Sequence, residues 1–213
     1  FFWFFIPNFT KNFEFFNLCL NKYPTIVDLY LKMKQEEIDK MNTTIKQAAK
    51  DNKLIIVYYL LSKQNKTIED HFNESNLTFL SLPPTIKSID KRSFFNSKTL
   101  TQIWIPPSVT SIGDSAFSQC SFLAEITIPS SVVSIGEFAF SECKSLKQIA
   151  FPSSVTEIKN STFSGCSSLK QVLISSSLKI IGDNAFYLCT SLTQALFPSS
   201  VMLIGFGSFY ECS

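Results

Sequence analysis

Hydrophobic positions from residue 77 onward recur with a period of 23 residues. Isoleucine, phenylalanine and leucine each keep one register through six successive units. The registers are Ile89, Ile112, Ile135, Ile158, Ile181 and Ile204; Phe94, Phe117, Phe140, Phe163, Phe186 and Phe209; and Leu77, Leu100, Leu123, Leu146, Leu169 and Leu192. A fixed period of this length is the sequence signature of a repeat protein built from stacked units. The pattern therefore predicts a solenoid in which each unit forms one coil.

A single unit shows how the pattern predicts a strand and a turn. Ile126 and Ile128 alternate with the polar residues Glu125 and Thr127, which is the period of two of a half-buried strand. Pro129 ends that strand because proline has no backbone donor for the next ladder hydrogen bond. We expect a short helical or irregular arm to close each coil.

Stacking of coils explains why these apolar residues recur in register. One coil is too small to bury its own isoleucine and phenylalanine, so each coil covers the next, with parallel strands about 4.8 Å apart. The predicted core is a set of ladders, isoleucine on isoleucine and phenylalanine on phenylalanine. The unit beginning at Leu77 departs from the others, with Asp90 in place of glycine and Ser97 in place of cysteine, as expected of a terminal coil.

The unit sequences IPPSVTSIGDSAFSQCSFL and IPSSVVSIGEFAFSECKSL resemble the BspA-like class of leucine-rich repeats over residues 77–213. The resemblance implies a solenoid of short parallel strands without family catalytic residues. It also implies membership of a family many of whose members are surface or secreted proteins linked to adhesion and host-matrix binding. Three residues depart from the pattern: Lys159 replaces glycine, Ser175 replaces proline and Ala195 replaces isoleucine. We expect each departure to blunt a single turn without threatening the fold.

The sequence upstream of the repeat has no such period. Residues 48–63, AAKDNKLIIVYYLLSK, are similar to the helix pair of an ankyrin repeat, with Lys53 where ankyrin repeats often carry histidine. An unrelated small helical bundle is the alternative. The predicted organisation is a helical, partly ankyrin-like region over residues 1–75, followed by a leucine-rich-repeat solenoid of about six coils over residues 76–213.

Composition narrows the chemistry that this chain can perform. The formal net charge is only +2 and no basic stripe is visible, so nucleic acid is not an expected partner. The one histidine, His71, follows Asp70 in a polar segment and is expected to be solvated, which leaves few catalytic arrangements. No apolar run reaches the roughly 18 residues that a membrane span requires. We therefore predict no catalytic site, no cofactor, no metal and no membrane span.

Five cysteines share one register: Cys120, Cys143, Cys166, Cys189 and Cys212. Neighbouring thiols at one strand spacing fall within reach of a disulfide, yet side chains in a parallel ladder point the same way. Buried reduced thiols acting as small apolar groups are the favoured interpretation. A zinc site is disfavoured because no paired cysteine motif of short spacing occurs. Cys19 stands outside the register and is expected in a core.

Two further features concern the cellular context. Six glycosylation sequons slightly favour an exterior location: Asn8, Asn42, Asn65, Asn73, Asn76 and Asn160. The sequence begins with Phe1 and stops at Ser213 within a repeat, so it is interpreted as a fragment truncated at its C-terminus.

The outward positions of the first strand form two rows that no packing ladder explains. One row is Gln102, Glu125, Gln148, Gln171 and Gln194, and the other is Ser81, Trp104, Thr127, Ala150, Leu173 and Leu196. Exposed tryptophan and leucine beside amides predict a continuous patch of mixed character that suits protein contact. The alternative is that the leucines only extend the packing. The predicted partner-binding face comprises Gln102, Trp104, Glu125, Thr127, Gln148, Gln171, Leu173, Gln194 and Leu196.

The resulting functional prediction is a non-enzymatic repeat module that binds a protein partner. A surface or adhesion-type protein that binds a host or matrix protein, located at the cell surface or outside the cell, is the first hypothesis. An intracellular, cytoplasmic scaffold that uses ankyrin-like and leucine-rich repeats is the alternative. An enzyme whose catalytic domain lies outside this sequence is a third class.

Overall fold

The computed structural model describes residues 76–212 together with Gln47, Thr67–Ile68 and Phe72. Apart from the single helical residue Gln47, regular structure among these residues consists of strands. A helical region was predicted over residues 1–75, including the ankyrin-like segment 48–63. Apart from the few residues just named, this region lies outside the described residues. No finding supports the ankyrin-like interpretation. Also outside the described residues are Asn8, Cys19, Asn42, Asn65, His71 and Asn73.

Thirteen short strands run through the described part of the chain. They are β1 (Thr67–Ile68), β2 (Phe79–Ser81), β3 (Ser88–Ile89), β4 (Gln102–Trp104), β5 (Ser111–Ile112), β6 (Glu125–Ile126), β7 (Ser134–Ile135), β8 (Gln148–Ala150), β9 (Glu157–Ile158), β10 (Gln171–Leu173), β11 (Ile180–Ile181), β12 (Gln194–Ala195) and β13 (Leu203–Ile204). All of their pairings are parallel.

The strands form two rows, because every coil contributes one strand to each. The first row contains the sheets β2-β4-β6 and β8-β10-β12, and the second contains β1-β3-β5-β7 and β9-β11-β13. Ile103 lies opposite both Leu80 and Ile126, so the pairing register equals the 23-residue period. We number the coils from the leucine register: coil 1 is 77–99, coil 2 is 100–122, coil 3 is 123–145, coil 4 is 146–168, coil 5 is 169–191 and coil 6 is 192–212. The predicted solenoid of short parallel strands is confirmed.

The third side of each coil, here called the turn side, is a run of turns and not a helical arm. Two positions per coil adopt a left-handed backbone: Arg92, Ser115, Phe138, Ser161, Asn184 and Gly207 in one register, and Asn96, Gln119, Glu142, Gly165, Leu188 and Glu211 in the other. This conformation costs a non-glycine residue about 1–2 kcal/mol. Hydrogen bonds between coils offset that cost; the amide of Phe117, for example, donates to the carbonyl of Ala139 at 2.7 Å.

The phenylalanine register forms a continuous stack of rings through the core. Neighbouring ring centroids lie 4.9–5.5 Å apart from Phe72 to Phe209. Phe72 extends the ring stack upstream of residue 76, where the periodicity placed the boundary, and the backbone of Ile68 pairs with that of Ile89. Phe72 and Ile68 precede Phe94 and Ile89 by 22 and 21 residues, so a search for a fixed 23-residue spacing misses them.

The cysteine register forms a second ladder beside the rings. Each Sγ donates a hydrogen bond to the carbonyl of the phenylalanine 26 residues earlier, for example Cys143 to Phe117 at 3.1 Å. Ser97, at the same register in coil 1, donates its hydroxyl to the carbonyl of Phe72. The five cysteines of the described part are free thiols, and all but the half-buried Cys212 are fully buried, which confirms the thiol interpretation. Burial raises the pKa of Cys120 and Cys189 to about 12.

Candidate partner-binding face

The first strand row builds the face because its residues alternate between core and solvent. The middle residues of β4, β8 and β10, which are Ile103, Ile149 and Val172, are buried against the ladders. The residues on either side of them consequently point away from the core. This alternation is the physical reason that a side chain such as Leu173 is left at the surface.

The polar row of the face lies at the start of these strands. Gln102, Glu125, Gln148 and Gln194 are exposed, and Gln171 is half-buried. The parallel register places Gln171 directly between Gln148 and Gln194 and places Gln102 opposite Glu125. The row therefore offers a ladder of amide donors and acceptors with one carboxylate.

The large apolar side chains of the second row become more exposed from coil 2 toward coil 6. Trp104 is 37% exposed, Thr127 is exposed, Leu173 is 51% exposed and Leu196 is 86% exposed. All nine residues of the predicted face thus lie at the surface or half-buried on one strand row. More than half of the side chain of Leu173 and of Leu196 faces solvent.

The strand pairing divides this face into two segments. No pairing joins β6 to β8 among the described strands, so Gln102, Trp104, Glu125 and Thr127 lie on one side of a break and the remaining residues on the other. The sequence predicted one continuous patch. In the structure a mostly polar segment on coils 2 and 3 adjoins a more apolar segment on coils 4 to 6.

Coil 6 adds exposed apolar residues that the sequence analysis missed. Met202 is 83% exposed and Phe206 is 86% exposed. A signal was available, because the other coils carry polar or charged residues at the register of Phe206: Lys91, Asp114, Glu137, Asn160 and Asp183.

The described face carries few charged side chains. Lys147 and Lys170 lie exposed at the beginning of the strands that carry Gln148 and Gln171, and Glu125 is the one acid among the nine face residues. A lysine–carboxylate pair, Lys144 and Glu142 at 3.1 Å, lies on an exposed part of coil 3. Amides, apolar groups and few charges favour contact with a surface of similar mixed character.

Sequence comparison identifies the repeat. The family model for the BspA-type leucine-rich-repeat region matches residues 65–133 and 120–213 in six copies. The chain belongs to the BspA-type leucine-rich-repeat family. The match begins upstream of residue 77, in agreement with the strand Thr67–Ile68 that pairs with β3.

Solved structures of leucine-rich-repeat proteins share this fold. A leucine-rich cell surface protein from Faecalibacterium prausnitzii is 36% identical, with a TM-score of 0.60 over 64% of this chain and 37% of its own. A leucine-rich-repeat protein from Eubacterium ventriosum is 30% identical, with a TM-score of 0.52 over 63% of this chain and 43% of its own. The pneumococcal vaccine antigen PcpA is 32% identical, with a TM-score of 0.54 over 59% of this chain and 32% of its own.

These comparisons establish the fold of the repeat region. The BspA-type chain spans between about a third and under half of the length of these three solved chains. No curated protein matches it. In the part of the chain that the structure describes, no helix has the length and hydrophobicity to cross a membrane.

Proposed function

We propose that this chain is a non-enzymatic protein-binding module that contacts its partner through the first strand row. The observation that carries the proposal is the exposure of Leu173 on strand β10 and of Leu196 directly after strand β12. Exposing such side chains to water is unfavourable, since burying a leucine contributes about 1.5–3 kcal/mol. A partner that covers them gains this energy, and the neighbouring amides of Gln148, Gln171 and Gln194 supply directional hydrogen bonds.

We propose further that the partner is a host or matrix protein and that the chain acts at the cell surface in adhesion. Support comes from two proteins with a similar solved structure, one a leucine-rich cell surface protein and the other a vaccine antigen. The intracellular scaffold remains the alternative. Labelling of intact, unpermeabilised cells with an antibody against the solenoid separates the two: staining supports the surface role, and staining only after permeabilisation supports the scaffold.

The binding face is tested with purified protein. Wild-type chain and the double variant Trp104→Ala/Leu173→Ser are passed over a panel of purified extracellular-matrix proteins in surface plasmon resonance. We expect at least one matrix protein to bind the wild type, with affinity at least about tenfold weaker for the variant, because central apolar contacts dominate interface energy.

The matched control is Val133→Ser, which removes an aliphatic side chain of similar exposure that lies directly before β7 on the other strand row. It should bind as the wild type does. Equal loss in the control and the double variant, or undiminished binding by the double variant, contradicts the assignment of the face. Circular dichroism confirms that both variants are folded.

A further inference from the structure

Glycine marks a corner of the coil where successive backbones come into close contact. This glycine register contains Gly113, Gly136, Gly182 and Gly205, each directly after the second-row strand. A Cβ atom at Gly113 would lie 2.6 Å from the backbone nitrogen of Lys91, and one at Gly205 would lie 2.5 Å from that of Asp183. The obstructing atoms at these two glycines are backbone atoms of the preceding coil, so a side chain at this corner crowds that coil. Asp90 occupies the same register in coil 1, where β3 still pairs with β1.

Coil 4 carries Lys159 at this corner in place of glycine. In the glycine-bearing coils the corner amide donates to the preceding coil, as from Gly136 to the carbonyl of Ile112 at 2.8 Å and from Gly182 to that of Ile158 at 2.7 Å. No equivalent hydrogen bond from Lys159 to coil 3 is present among the described residues. The backbone hydrogen bond at this corner is therefore missing in the one coil of coils 2 to 6 whose corner residue has a Cβ atom.

Both strand rows are interrupted at this same junction. Among the described strands, β7 does not pair with β9 and β6 does not pair with β8, whereas the junctions between coils 1 and 2, 2 and 3, 4 and 5, and 5 and 6 keep both pairings. On the two strand sides one long backbone hydrogen bond crosses, from the Lys147 amide to the Ala124 carbonyl at 3.5 Å. The hydroxyl of Ser154 also donates to the carbonyl of Val132 across this junction, as the equivalent serines do at other junctions. The other departures behave differently: Ala195 still pairs with Val172, and Ser175 still accepts the turn bond from Leu178.

The turn side of the junction remains closed. Phe140 donates to the carbonyl of Thr162 at 2.9 Å and Glu142 to that of Ser164 at 2.7 Å, as in the other coils. The rings of Phe140 and Phe163 stay stacked at 5.3 Å. The junction at Lys159 therefore differs from the others by more than a single turn: both strand rows lack backbone pairing there, whereas the turn side keeps its hydrogen bonds.

We propose that the junction between coils 3 and 4 is a built-in hinge. The stacked rings and the turn-side hydrogen bonds act as the pivot, and the unpaired strand rows are the sides that open and close. The hinge lies at the break in the partner-binding face, so its movement changes the angle between the polar and apolar segments. This inference does not rest on the proposed function, because its test needs no partner.

Amide hydrogen exchange measured residue by residue by NMR tests the hinge on the intact chain. The amides of Thr156 and Lys159 are compared with their register equivalents Val133 and Gly136, which donate to coil 2. We expect Thr156 and Lys159 to exchange at least about tenfold faster, with Phe140 and Glu142 as protected as the equivalent amides in other coils. Equal protection at Thr156 and Val133, or loss of protection at Phe140 as well, overturns the proposal.

Two substitutions test the cause. Lys159→Gly removes the Cβ and should close the corner, slowing exchange at residues 156 and 159 by about tenfold or more. Lys159→Ala removes the charge and the long side chain but keeps the Cβ, so exchange there should stay fast. If the alanine variant slows exchange as much as the glycine variant does, or if neither slows it, the steric origin of the hinge is refuted.

Discussion

The phenylalanine stack makes a quantitative prediction about where stability resides in this solenoid. Phe140 is fully buried and stacks on Phe117 and Phe163, each at 5.3 Å between ring centroids. Truncation of a buried phenylalanine to alanine costs about 3–5 kcal/mol, which includes the lost transfer energy and the cavity. Two ring pairs, each contributing about 0.5–1.5 kcal/mol, place Phe140→Ala toward the upper part of that range.

The comparison position is Phe209 in coil 6. It is half-buried and stacks on Phe186 at 5.3 Å, with an edge contact to Phe197 at 5.2 Å. Among the described residues Phe209 stacks on one phenylalanine of the register, whereas Phe140 stacks on two. We therefore expect Phe209→Ala to lower the free energy of unfolding by about half as much as Phe140→Ala does.

Urea unfolding followed by far-ultraviolet circular dichroism measures both changes. With a typical slope of about 2 kcal/mol per molar urea, Phe140→Ala should lower the midpoint by roughly 2 M. Phe140→Leu, which keeps apolar volume and loses the stacking, should lie between the wild type and the alanine variant. A cost below about 1 kcal/mol for Phe140→Ala, or a cost equal to that of Phe209→Ala, would refute the ladder as the main source of stability.

Two further predictions concern the thiol ladder and the turn side. Burial raises the pKa of Cys120 from its ordinary value of 9.0 to about 12, so its contribution to stability is complete below pH 9 and is lost as the pH rises from 9 to 12. As the pH rises from 8 to 10, the free energy of unfolding should fall by about 1.4 kcal/mol more in the wild type than in the Cys120→Ser variant. Parallel pH profiles of the two proteins would contradict this. Gln119 is exposed with a φ of 64°, so Gln119→Gly should stabilise by about 1 kcal/mol in thermal unfolding relative to Gln119→Ala. The same glycine substitution at the strand residue Gln148 is the control and should destabilise, and stabilisation at both positions would exclude backbone strain as the reason.

Much of the fold was predictable because each coil repeats the same pattern of buried and exposed positions. Ile126 between Glu125 and Thr127 predicts an inward side chain on a strand, and the structure buries it in pairing register with Ile103. The register of Leu173 likewise predicted an outward side chain. These predictions needed only the alternation along a strand and the period between coils.

Other features depend on distances between coils that a single unit does not reveal. Ser97 looked like a degenerate position, yet its hydroxyl donates to the carbonyl of Phe72 just as each thiol does to its own phenylalanine carbonyl. The effect of Lys159 required knowing how closely the backbones approach at the glycine corner. The left-handed turn positions gave no signal, since ten of the twelve are not glycine.

The thiol ladder also bears on where such a protein can work. A fold held by disulfides depends on an oxidising environment, and a reactive thiolate is a target wherever oxidants are present. Here Cys143 and Cys166 are fully buried, and burial raises the pKa of each thiol, so almost no thiolate is available to react. Their hydrogen bonds to Phe117 and Phe140 are the same in either redox state of the surroundings. A repeat unit of this kind can be carried into a reducing or an oxidising compartment without a change in its covalent structure.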